Sequence, residues 1–152
     1  MTGSLNIHPV PEWDDAMTCA PTALCAVTGA PPATVENAIR QCAEQRGERL
    51  DVISSVNLRD WGEALKLLGY HWDNIHGERD PPISINECVR ANNEPGVVLI
   101  LAFDDSVGEG HIFAAHGQRV VDCWTSGKIV DFTACPKDYD RFLVKYVLRI
   151  KH

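Results

Sequence analysis

The chain has 152 residues and carries 14 Lys and Arg against 21 Asp and Glu, a net charge of −7; with 45% apolar and 23% charged residues it is neither disordered nor collagen-like in composition. Its basic residues are scattered, which excludes a non-specific nucleic-acid binder, and its longest apolar run, 97–103, is far shorter than the ~18 residues of a membrane span. Met1-Thr2-Gly3-Ser4-Leu5 lacks the charged-then-apolar layout of a secretory signal, so one soluble, cytoplasmic domain spanning 1–152 is expected, with no nucleic-acid or membrane partner.

Gly3 to Asp15 reads as a loop. An apolar stretch from Cys19 to Thr28 follows, closed by Gly29, and predicts a buried helix with Pro21 in its first turn. Residues 34–46 predict an amphipathic helix: Thr34 is the expected N-cap, Val35, Ala38, Ile39 and Cys42 share one face, and Gly47 stops it. Residues 57–68 repeat the pattern, with Asn57 as cap, Leu58, Trp61, Ala64, Leu65 and Leu68 inward, and Gly69 as terminator. His71 and His76 flank Trp72 in a loop or short strand, and a charged, proline-bearing loop runs on to Pro82. Residues 84–92 predict a shorter helix with Ile85, Cys88 and Val89 inward.

From Val97 the period changes to that of strands. Segments 97–103, 112–115, 119–124, 128–132 and 142–150 are separated by turn residues, and the first is apolar enough for a fully buried strand. Helices first and closely spaced strands afterwards define an α+β domain with an antiparallel sheet.

Six cysteines occur, at 19, 25, 42, 88, 123 and 135, with no Cys-x-x-Cys pair. Without a secretory signal a disulfide framework loses its main support. Cys25, Cys42 and Cys88 fall on apolar helix faces and read as core thiols; burial would also make Cys25 a poor nucleophile. Cys19 differs, because it opens the first helix, where backbone N–H groups and the positive end of the dipole favour a thiolate and could serve an oxyanion. The competing reading of Cys19 is another buried core thiol.

A partner for Cys19 lies in Gly110-His111-Ile112-Phe113-Ala114-Ala115, which leads through His116-Gly117-Gln118 into Arg119-Val120-Val121-Asp122-Cys123-Trp124. A two-residue turn can be His116-Gly117, with His111 directly opposite Asp122, or Gly117-Gln118, with Phe113 facing Asp122 and His111 the diagonal neighbour of Asp122. Either register puts His111 and Asp122 on one face, since side chains alternate along a strand. An imidazole oriented by a carboxylate is the base half of a thiol triad; the competing reading is a surface hairpin with an incidental ion pair. On the same alternation Cys123 points away from Asp122, while Trp124 can flank the His111–Asp122 contact and shield it. Trp13 and Trp124 otherwise read as core aromatics, as does Trp61.

Cys19-Ala20-Pro21-Thr22-Ala23-Leu24 opening a buried helix, Gly110-His111 at the start of a strand, and Asp122 on the next resemble the papain-like cysteine peptidase superfamily. The likeness is closest to the bacterial Cys-Gly-Pro-type peptidases that process bacteriocins and to small single-domain bacterial and phage proteins of that fold. The resemblance implies a papain-like α+β fold and assigns Cys19 as nucleophile, His111 as general base and acid, and Asp122 as orienter of the imidazole, with no cofactor. It implies a thiol hydrolase or acyltransferase, a cysteine protease or a related deamidase or transglutaminase, acting on a protein or peptide substrate. The acidic residues Asp104, Asp105 and Glu109 would favour a basic one. One departure stands out: the family places a Gln a few residues before the nucleophile, whereas the first Gln here is Gln41 and Trp13, Asp14 and Asp15 stand at that distance. The alternative is therefore a catalytically silent interaction protein of the same fold and of phage origin. A zinc module built from Cys19, His111, Cys123 and His116 is a third reading; no ligand pair has the usual short spacing, and alternation sets His111 and His116 on opposite faces. His8 and His152 lie near the ends of the chain and carry no inference.

Overall fold

The start of the first helix is set by Thr18, whose extended backbone hands over to Cys19, and its end by Gly29, whose N–H donates to the Cys25 carbonyl at 2.8 Å. The computed structural model describes residues 6–14, 17–47, 58–77, 80–134 and 141–152. Expectations for Met1 to Leu5, Asp15, the Asn57 cap and Cys135 fall outside these residues.

Helix α1 covers Cys19–Thr28 and every residue from Ala20 to Val27 is buried. Pro21, which lacks an N–H, costs nothing in a first turn where that donor would have no acceptor. Helix α2 covers Pro32–Gln45 and α3 covers Leu58–Leu67. The start of α2 corrects the expected Thr34 cap: Pro31 takes the cap position and Pro32 the first helical one, where a φ preset near the helical value extends the helix backwards. Helix α4, Ile85–Arg90, is capped as its sequence requires, with the Ser84 hydroxyl accepting from Glu87 N–H at 3.1 Å.

Among the described residues, seven strands form one sheet: β1 (His71–His76), β2 (Ile83–Ser84), β3 (Val97–Asp104), β4 (Glu109–His116), β5 (Arg119–Val121), β6 (Val130–Asp131) and β7 (Leu143–Lys151). The order is β1-β7-β3-β4-β5-β6, β2 also pairs with β7, and every pairing is antiparallel. Two short strands thus precede the last helix, so the division into helices and then sheet holds for α1 to α3 but not for α4.

Burial on both faces explains the unbroken apolar run of β3. Val97, Leu99 and Leu101 face a cluster completed by α1, α2 and α3, including Leu24, Ile39, Trp61 and Leu65. Val98, Ile100 and Ala102 face a second cluster with Ile85 and Val89 of α4, Phe132 and Phe142. Strand β4 divides the same way, with Ile112 and Ala114 toward α1 and Phe113 and Ala115 toward the second cluster.

Beyond β5 the chain leaves the sheet. A 3-10 turn, Cys123–Thr125, replaces the expected continuation to Trp124, and a second, Phe132–Ala134, follows β6. The first turn is fixed to the N-terminal arm at Gly127, whose carbonyl accepts from Val10 N–H at 2.8 Å. Gly127 has φ +72°, and a Cβ there would stand 2.9 Å from the Cβ atoms of both Val10 and Trp13. Gly127→Ala is therefore expected to cost roughly 2–4 kcal/mol, left-handed backbone strain plus overpacking. Gly117→Ala, at φ +62° with open space around it, should cost only the backbone part, about 1–2 kcal/mol. Urea denaturation of the two variants checks the difference, and equal losses would show that the arm does not press on the turn.

Candidate active site

Asp122 ends the β5 segment and caps the 3-10 turn. It is wholly buried, and its Oδ1 accepts from Trp124 N–H at 3.4 Å. Its own N–H donates to Thr125 Oγ1 at 3.1 Å, completing a reciprocal cap, and Thr125 Oγ1 donates in turn to the Lys128 carbonyl at 2.7 Å. The carboxylate is thus locked by backbone geometry before any imidazole is considered.

The β4–β5 hairpin turns at Gly117-Gln118, with His116 opposite Arg119 and Ala114 opposite Val121. That is the second of the two registers open in the sequence, and it leaves His111 diagonal to Asp122. His111 Nε2 lies 2.7 Å from Asp122 Oδ2, and both side chains are buried. The Trp124 ring stacks on the imidazole at 3.8 Å between centroids and 7° between planes; Phe113 and Phe142 each lie 5.9 Å away. An apolar cage of this kind leaves the imidazole few rotamers and keeps water from the His111–Asp122 bond.

Cys19 completes the set. Its half-buried side chain hydrogen-bonds to His111, and since Nε2 is held by Asp122, Nδ1 is the ring nitrogen left to face the sulfur. Burial pushes the His111 proton off, but the Asp122 charge and hydrogen bond, with a further hydrogen bond and negative charge at Cys19, outweigh it and raise the imidazole to about 9. Cys19, His111 and Asp122, placed together from their sequence pattern, are therefore also together in space. A folded-state value raised above 6.5 contributes stability that is fully present below pH 6.5 and lost as pH rises through about 9. The loss should be on the order of 3 kcal/mol. Urea midpoints between pH 6 and pH 8, below the range in which the buried thiols begin to ionise in the unfolded chain, check it: the wild type should already decline over that window and a His111→Gln variant should not.

Two elements bring Cys19 to this point. Helix α1 lies against both β4 and the 3-10 turn. Trp13 Nε1 donates to Thr22 Oγ1 at 3.1 Å, and Thr22 Oγ1 donates to the Thr18 carbonyl at 2.7 Å, so the Trp13 ring braces the first turn of α1. Trp13, one of the residues at the distance where the resemblance would place a Gln, thus spends its N–H on the helix. The N–H groups of Cys19 and Ala20, in the first turn of α1, have no acceptor within the helix.

Cys123 departs from its expected orientation. Alternation would turn it away from Asp122, yet the strand ends at Val121, and in the 3-10 turn successive side chains no longer alternate. The Cys123 thiol hydrogen-bonds to Asp122 and feels the Cys19 sulfur; burial first, then the Asp122 charge, push it well above the usual thiol range. A local turn signal was available in Asp122-x-x-Thr125, a capping pattern that competes with the strand.

The other thiols stay apart. Burial, with Glu36 and Glu12 adding to it, pushes Cys25 up to about 12, and burial pushes Cys88 up to about 11; Cys42 is buried on α2. His116 points elsewhere, within 3.1 Å of the Pro95 carbonyl, which removes it from the zinc set named with it. His71 and His76 lie on β1. Asp104 and Glu109 share Arg141, at 3.9 and 3.4 Å, and Asp105 meets Lys145 at 3.5 Å, so the acidic cluster is in part neutralised by its own strand neighbours.

Compared with known protein families, curated proteins and solved structures, the chain matches none. Among the described residues, no helix is long and apolar enough to cross a membrane.

Proposed function

We propose that the protein is a papain-like thiol hydrolase or acyltransferase acting on a peptide or amide. The observation that carries this reading is His111 held between the Asp122 carboxylate at 2.7 Å and the Cys19 sulfur. In this mechanism the Cys19 sulfur attacks the carbonyl carbon, and the charge on oxygen is met by the Cys19 and Ala20 N–H groups. His111, cationic at neutral pH, gives its Nδ1 proton to the leaving group, and a thioester remains on Cys19. His111 then takes a proton from water or an amine as either attacks that thioester, returning the sulfur. Asp122 keeps Nε2 protonated throughout and so keeps Nδ1 facing the sulfur.

A panel of peptide, carboxamide and acyl substrates tests the proposal. Turnover that disappears in Cys19→Ala supports it; turnover that survives this change, or none across the panel, overturns it. The second reading, a catalytically silent interaction protein of phage origin, draws support from Trp13, whose N–H is committed to Thr22 where a Gln amide would serve the oxyanion. The partial neutralisation of Asp104, Asp105 and Glu109 weakens the expectation of a basic substrate.

A further inference from the structure

His111, Asp122 and Cys123 each offer one donor atom, and these atoms lie within 4.8 Å of one another. Two of the three side chains are buried and the third is half-buried. Tetrahedral zinc takes nitrogen at about 2.0–2.1 Å, carboxylate oxygen at about 2.0–2.2 Å and sulfur at about 2.3 Å, which sets donors about 3.4–3.6 Å apart. The His111–Asp122 pair, at 2.7 Å, would open by less than about 1 Å, and the widest separation, at most 4.8 Å, would close by no more than about 1.4 Å.

We propose that His111, Asp122 and Cys123 form a binding site for one zinc-class divalent cation. The donor set is one imidazole, one carboxylate and one thiolate, a mixture that suits zinc and not the all-oxygen preference of magnesium or calcium. The carboxylate is oriented by Trp124 N–H and the imidazole by the stacked Trp124 ring, the outer support that such ligands need. On binding, the His111 Nε2 proton and the Cys123 thiol proton pass to solvent, and nitrogen and sulfur lone pairs are given to the cation. Cys19 is not a ligand, because it faces the other ring nitrogen. The site therefore goes beyond the thiol-enzyme reading and does not need it; where that reading holds, the bound cation breaks the His111–Asp122 pair and silences the triad.

Zinc titrated into the reduced full-length protein, against a chromophoric chelator, should bind at one equivalent. Cys123→Ala should weaken affinity by well over ~100-fold, whereas Cys19→Ala, which removes only an outer-sphere partner of His111, should cost no more than ~10–100-fold. Near-UV circular dichroism of the metal-free variants checks their folding. Cobalt(II) bound to the unaltered chain gives an independent reading: charge-transfer absorption of one thiolate supports the site. No stoichiometric binding, a Cys19→Ala loss as large as that of Cys123→Ala, or absorption showing no thiolate or two would overturn it. A Cys19 that proves chemically inert leaves all of these readings in place, so failure of the enzyme proposal and failure of the cation site are separable.

Discussion

Iodoacetamide at pH 7 will label Cys19 at least about 100-fold faster than Cys25 or Cys88, and His111→Ala will remove most of that advantage. The thiolate is the species that reacts. With thiols at about 12 and about 11, Cys25 and Cys88 present thiolate fractions of about 10⁻⁵ and about 10⁻⁴ at neutral pH. Burial slows them further, since Cys25 is 2% and Cys88 8% exposed. Cys19 is half-buried and faces an imidazole that holds its proton to about 9. The cation that stabilises a thiolate is therefore already in place at pH 7. Peptide mapping after timed labelling gives each rate separately. Comparable rates among these thiols, or a Cys19 rate indifferent to His111→Ala, would mean that the contact does not activate the sulfur.

The sites of agreement and departure between sequence and structure have physical reasons. Helix α1 was legible because Cys19, Pro21 and Gly29 sit at the positions where a helix tolerates them and the residues between are apolar. The His111–Asp122 pairing was legible because alternation along paired strands survives a choice between two even-length registers. Cys123 departs from the same rule because alternation stops at Val121, past which the Asp122–Thr125 cap wins the backbone. Thr34 lost the cap position because two prolines before it start the helix earlier. The sequence does not decide between loop and strand for β1, which lies at the sheet edge and whose burial shows no two-residue period. What makes it a strand is its pairing with Val147 to Lys151 of β7, a long-range partner that local pattern does not show.

Asp122 is the residue whose loss should be felt most widely, and two substitutions divide its roles. Asp122→Ala removes the acceptor of His111 Nε2, the cap of the 3-10 turn and the counter-charge inside a buried cage at once. Leaving a buried cation without its partner costs about 3–5 kcal/mol, a large share of the ~5–15 kcal/mol that holds a domain together. Urea denaturation at pH 6, where the wild-type imidazole is charged, should show that loss. Asp122→Asn keeps the shape and a carbonyl oxygen that can still accept from Trp124 N–H, so the turn survives and the cost should fall to about 1–3 kcal/mol. What it cannot keep is the negative charge. Burial, the largest influence on His111, then acts without its main opponent, and the imidazole should titrate below 6.5 instead of near 9. Nuclear magnetic resonance of the His111 ring reads that shift directly, and the Cys19 labelling advantage at pH 7 should vanish with it although the fold remains. An Asp122→Asn protein whose His111 still titrates near 9 would show that the charge of Asp122 is not what holds the proton. A folded Asp122→Asn with unchanged Cys19 reactivity would reduce Asp122 to a cap of the turn.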